Sequence, residues 1–161
     1  MRVTTRAAAL AAQFAAVSDE VIATVTGCTD AQWQQLFSEA GWSVGVVAHH
    51  IAAVHGDFVG LIGALAGGRT FSPTTSMDDV DRSNAQHARD FATVGKPETL
   101  ALLQAHGVAL LEQLRGLSDE QLGRIAGVFG GHELSVMQAV ELIVIGHAQV
   151  HLDSIRATIA A

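Results

Sequence analysis

The chain has 161 residues, 49% of them hydrophobic, a formal net charge of −7 and a single cysteine. That length suits one domain over residues 1–161, able to bury a core without disulfides or a structural metal. The acidic balance, with Lys96 the sole lysine, excludes a nucleic-acid surface, which needs clustered Lys and Arg. The lone Cys28 excludes a disulfide framework and a Cys-rich zinc motif.

No uninterrupted apolar run reaches the ~18 residues that cross a bilayer. The Ala-rich start places Val3, Ala7, Leu10, Phe14, Val17 and Val21 on one helical stripe. That stripe continues through Asp19 and Glu20, so it reads as an amphipathic helix of the fold rather than a signal peptide. A cytoplasmic protein without a membrane partner is expected.

Helical spacing dominates in chain order, and no alternating strand stands out. The first helix is expected from about Val3 to Val25. "TDAQ" at Thr29 is a capping box that opens a short piece. Ser43 is the N-cap of a second long helix that runs to about Ala66, where "GG" ends it. "RTFSPTTSM", Arg69 to Met77, reads as a loop, and "DDVDRSNAQHARDF" as a short polar helix. A third long helix starts at Pro97 and turns Leu100, Leu103, Gly107, Leu110 and Leu114 inward. Capping boxes recur at Ser118 and Ser135, with the glycine loop "GVFGGHE" between them. The last helix extends to about Ile159. Four helices of roughly 20 residues make an all-α four-helix bundle with long crossovers the expected fold.

The eight histidines are not equivalent. "VIGHAQVHLD" puts His147 and His151 one turn apart, on the stripe Val136, Val140, Val144, His147, His151, Ile155. Side chains at i and i+4 share a face and can reach one ion. In the second helix the stripe Val47, His50, Val54, Phe58, Leu61, Leu65 includes His50 and leaves His49 about 100° away. Three imidazoles buried without partners would cost roughly 1–3 kcal/mol each, a cost that a shared divalent ion removes. The other reading is a hydrogen-bonded core cluster. Three neutral ligands would leave an ion its full charge and an open position, as in catalytic zinc sites; imidazole also accepts nickel, iron(II) and manganese. His55 is read as a flank residue. His106 and His132 are read as solvated, Asn84 and His87 as a wall facing substrate or a polar surface. Asp57 and Glu133 are candidate acid–base groups, Cys28 is structural, and Trp33 and Trp42 are packing anchors.

"GWSVGVVAHHI", "DRSNAQ" and "HAQVHLDSI", in that order, resemble the three motifs of the DinB/YfiT-like superfamily. That superfamily includes the N-terminal domains of mycothiol-dependent maleylpyruvate isomerases. The resemblance spans essentially the whole chain. It implies an up-down-down-up bundle, often a homodimer, binding a divalent metal (zinc or nickel foremost) through His50, His147 and His151. Asn84 is carried over as a pocket residue. It also implies a thiol-dependent transferase or isomerase using a low-molecular-weight thiol. Mycothiol is favoured because the Arg, Ala and Gly usage suggests a high-GC bacterial genome.

The enzyme so read would act on a small electrophilic molecule, with Arg82 beside Asn84 holding an anionic group. A metal-dependent hydrolase and a non-catalytic binding bundle are the alternatives. A cavity opening onto the histidines would favour a reactive site over a sealed one.

Overall fold

The structure, a computed structural model, describes residues 5–37, 41–71, 77–129 and 131–161. Helix α1, Arg6–Gly27, starts where Thr5 accepts the Ala8 amide at 3.1 Å; the expected onset at Val3 lies outside the described residues. The capping box at Thr29 opens the short α2, Asp30–Gln34. Ser43 caps α3, Val44–Ala66, as its spacing predicts. The polar stretch forms α4, Met77–Asp90, and the third long helix is α5, Lys96–Arg115. Part of the expected 69–77 loop, residues 72–76, lies outside the described residues.

Helix α5 packs on α1 and on α3, and the C-terminal helix packs on the other side of both. This ring of four long helices closes an all-α bundle around one core. Phe14, Ile51, Leu103, Leu110, Leu152 and Ile155 are fully buried there, each worth about 1.5–3 kcal/mol of transfer free energy.

After α6, Asp119–Gly123, comes a feature that the sequence reading passes over. Ile125–Phe129 (β1) and His132–Ser135 (β2) pair antiparallel. The expected glycine loop is thus a short hairpin, too brief and too glycine-rich to show alternation. Phe71 donates its amide to Ala126 O at 2.8 Å. A Cβ at Gly127 would stand 2.6 Å from the Phe71 carbonyl, so this junction requires glycine.

The last helix is not one regular rod. It runs as α7, Val136–Ala139, a π-helical segment over Val140–Ile145, and α8, Gly146–Ile159. A π turn holds about one residue more than an α turn. The buried line therefore becomes Val136, Val140, Val144, Ala148, Leu152 and Ile155. The expected stripe holds to Val144 and then slips by one position. His147 and His151 stand half-buried at its edge rather than on it.

The stripe of α3 also differs. Its deepest line is Val44, Ala48, Ile51, His55, Phe58, Ile62 and Leu65, while Val54 and Leu61 are only half-buried. All of Val44 to Ala52 is buried because α2, α4, α5 and α8 surround this half of the helix. Burial on every side erases the contrast on which a stripe depends.

By length and composition, α1 and α3 each carry a window apolar enough to span a membrane. Both windows are interrupted by polar residues, and a core helix meets the same measure of length and composition. In α3, 61% of that window is buried inside the bundle, as a core helix requires.

Candidate metal centre

Helix α3 supplies His50 and α8 supplies His147 and His151. His50 Nε2 and His147 Nε2 are 3.1 Å apart, and one ring nitrogen from each of the three residues lies within 4.8 Å of the others. The His147 and His151 ring centroids are 4.4 Å apart, and each ring is about 5 Å from His50. The shifted phase of α8 is compatible with this convergence: it leaves the two rings at the edge of the core, against α3. Phe58 closes the inner side by standing edge-on to His147 at 5.8 Å.

Burial keeps the cluster neutral. It pushes His50 down to about 4, helped by His151, His87 and His49. It pushes His147 down to about 3, helped by His151, His50 and His55. His151 is lowered by burial as well. Near neutral pH all three rings therefore keep the lone pairs that a cation needs. His147 Nδ1 is buried with no hydrogen-bond partner among the described residues.

His49 is as buried as His50, at 7% exposure. Its ring turns to α4, where Nδ1 lies 3.2 Å from His87 Nε2 and the ring stacks on Phe91 at 3.9 Å. His87 also meets His50 edge-on at 5.4 Å and stacks on Trp42 at 6.5 Å. Five imidazoles thus form one patch, with His87 a neighbour that periodicity alone could not attach to it. Asn84 is half-buried on the same helix and makes no hydrogen bond among the described residues. Arg82 is exposed and ion-paired with Asp79, so the structure does not bring it to the histidines.

The remaining expectations divide. His55, read as a flank residue, is wholly buried against Phe14, with both ring nitrogens unpartnered among the described residues. His106, read as solvated, is half-buried, and its Nδ1 lies 2.8 Å from Ala52 O. His132, Asp57 and Glu133 are exposed. Trp33 is an anchor: its indole donates to Val94 O at 3.1 Å, and a Cβ at Gly45 would stand 2.6 Å from its ring. Cys28 is buried, its Sγ donates to Thr24 O, and burial raises its pKa. It is a structural thiol.

A cavity of about 250 Å³ opens beside the cluster, lined by Phe37, Trp42, Val47, His151 and Ser154. The chain turns back on itself to build its wall, with Phe37 N donating to Trp42 O at 2.9 Å and Val44 N to Gln35 O at 3.0 Å. A larger cavity of about 330 Å³ lies between α1 and α5, lined by Phe14, Ser18, Leu103 and Gly107. None of the clustered histidines lines it.

A helical bundle with a convergent, neutral histidine triad beside an open cavity belongs to a known class: bundles that build ion sites from side chains of facing helices. The sequence profile of the DinB superfamily matches residues 8–155. The chain belongs to the DinB superfamily. No curated protein and no solved structure matches it significantly.

Proposed function

We propose that this is a divalent-metal-dependent enzyme in which His50, His147 and His151 hold the ion and a thiol reacts with a small electrophile beside it. The observation that carries the proposal is the 3.1 Å separation of His50 Nε2 and His147 Nε2, with the third ring in reach. Metal–nitrogen bonds of about 2.0–2.1 Å in a tetrahedral site set ligand nitrogens roughly 3.3 Å apart, close to what is seen. A direct hydrogen bond between the two rings would give a similar distance. Such a bond would pair two rings only and would not call for the third ring that stands within reach of both.

A bound ion with three neutral ligands supplies Lewis acidity at an open position, where it lowers the pKa of a thiol or water. The chain's own contribution is to hold the imidazoles neutral by burial and to shelter the site with Phe58 and Trp42. The cavity beside His151 gives a reactant access, which favours a reactive site over a sealed one. No carboxylate lines that cavity among the described residues.

The test is cobalt(II)-substituted protein titrated with a low-molecular-weight thiol. A thiolate-to-cobalt charge-transfer band that saturates, and is lost in His151→Ala, supports thiol binding at the open position. A spectrum indifferent to thiol turns the assignment toward hydrolysis by a metal-bound water.

A further inference from the structure

The cavity beside the cluster has walls of one chemical kind. Phe37, Trp42 and Val47 supply the apolar surface, Ser154 the only hydroxyl among the described residues, and His151 the passage to the histidines. Among the described residues no charged side chain lines it. Arg82, the cation of the polar motif, is exposed and ion-paired with Asp79. Ser154 Oγ donates its proton to Val150 O at 3.0 Å, which leaves its lone pairs to accept from a ligand.

Volume narrows the occupant further. A dry apolar cavity of about 150 Å³ is enough for benzene, whereas drug-sized ligands use about 300–1,000 Å³. At about 250 Å³, this cavity takes one ring with a short substituent. Two aromatic walls favour an aromatic ring, which gains offset or edge-on contacts beyond area burial. A carboxylate would enter with no cation to pair with among the described lining residues. A sugar-bearing molecule would leave most of its hydroxyls against Phe37, Trp42 and Val47 without partners.

We infer that this cavity is the pocket for the substrate and takes a small, uncharged aromatic molecule. Its ring lies against Trp42 and Phe37, and its substituent reaches His151. The inference rests on the metal-site reading given above and deepens it by naming the substrate class. A sugar-rich thiol must then approach the histidines from another side.

The experiment uses the full chain, metal-loaded and metal-free, with benzyl alcohol as the neutral aromatic probe and myo-inositol as a polar ring of similar size. Binding is read by saturation-transfer NMR and calorimetry, and metal content is measured in the same samples. Benzyl alcohol should bind saturably. Ser154→Phe, which fills the half-buried rim, should weaken it at least tenfold with metal content and melting temperature unchanged. Phe37→Ala, which removes a wall, is the second variant should the first fail to fold, and it should weaken binding as well.

Equal binding of myo-inositol, no saturable binding of benzyl alcohol, or variants that bind like wild type would overturn the inference. Loss of metal from wild type with aromatic binding intact would sink the metal reading and leave the pocket standing.

Discussion

Replacing His55 by leucine tests the packing account where it departs most from sequence expectation. His55 is wholly buried, and neither ring nitrogen finds a hydrogen-bond partner among the described residues. Burial, with His106 close by, pushes its pKa from 6.5 to about 4. The unfolded chain therefore takes up a proton on this ring as pH falls below 6.5, while the native ring stays neutral down to about 4. The folded pKa being the lower one, its contribution is present in full above pH 6.5 and is lost as pH falls from 6.5 toward 4. A gap of about 2.5 units corresponds to roughly 3 kcal/mol of acid sensitivity.

Leucine does not titrate, so the variant should lack that part of the pH dependence. It also removes two buried polar atoms without partners, groups that cost about 1–3 kcal/mol each, and it is close to histidine in volume. At pH 7.5 the variant should be more stable by about 1–3 kcal/mol, or ~2–12 °C in melting temperature at this chain length. The assay is thermal unfolding by circular dichroism at pH 7.5, 6.0 and 5.0, with chelator present to keep metal out. A variant that melts below wild type at pH 7.5, or that loses stability just as steeply in acid, refutes the reasoning and puts an unseen partner on His55.

Three further outcomes follow from the geometry. His50→Ala should abolish stoichiometric metal binding, whereas His49→Ala should retain it and lose stability as its contacts with His87 and Phe91 go; metal analysis and melting curves separate the two. His147→Leu with His151→Leu should melt near the metal-free wild type and ignore added metal, while wild type at a thousandfold excess over its dissociation constant gains ~4 kcal/mol, or roughly 8–16 °C. Gly45→Ala should cost about 1–3 kcal/mol by overpacking against Trp33, read as a lower urea midpoint with the slope unchanged.

Caps and breakers carried the helix boundaries into the sequence, since Ser43, Thr29, Ser118 and Ser135 each accept an amide where the pattern asks for it. The three clustered histidines were legible from i,i+4 spacing and a seam, although the seam itself was misphased in both helices. In α8 the cause is the π segment, which adds a residue that no periodicity scan at 3.6 can anticipate. In α3 it is burial on all faces, which left His55 looking like a flank residue and His49 looking turned away. His87 joins the patch only because α4 lies across α3, a tertiary placement with no local signature. The hairpin of Ile125–Phe129 and His132–Ser135 was hidden for a different reason: its strands are too short for alternation to register.

The central claim is that three imidazoles from two helices share one ion. Its most direct test is elemental analysis of tag-free protein after incubation with zinc or nickel and removal of the excess. Wild type should retain close to one divalent ion per chain and His50→Ala close to none, with both proteins folded. Wild type that emerges metal-free, or a His50→Ala protein that keeps a full equivalent, would contradict the account.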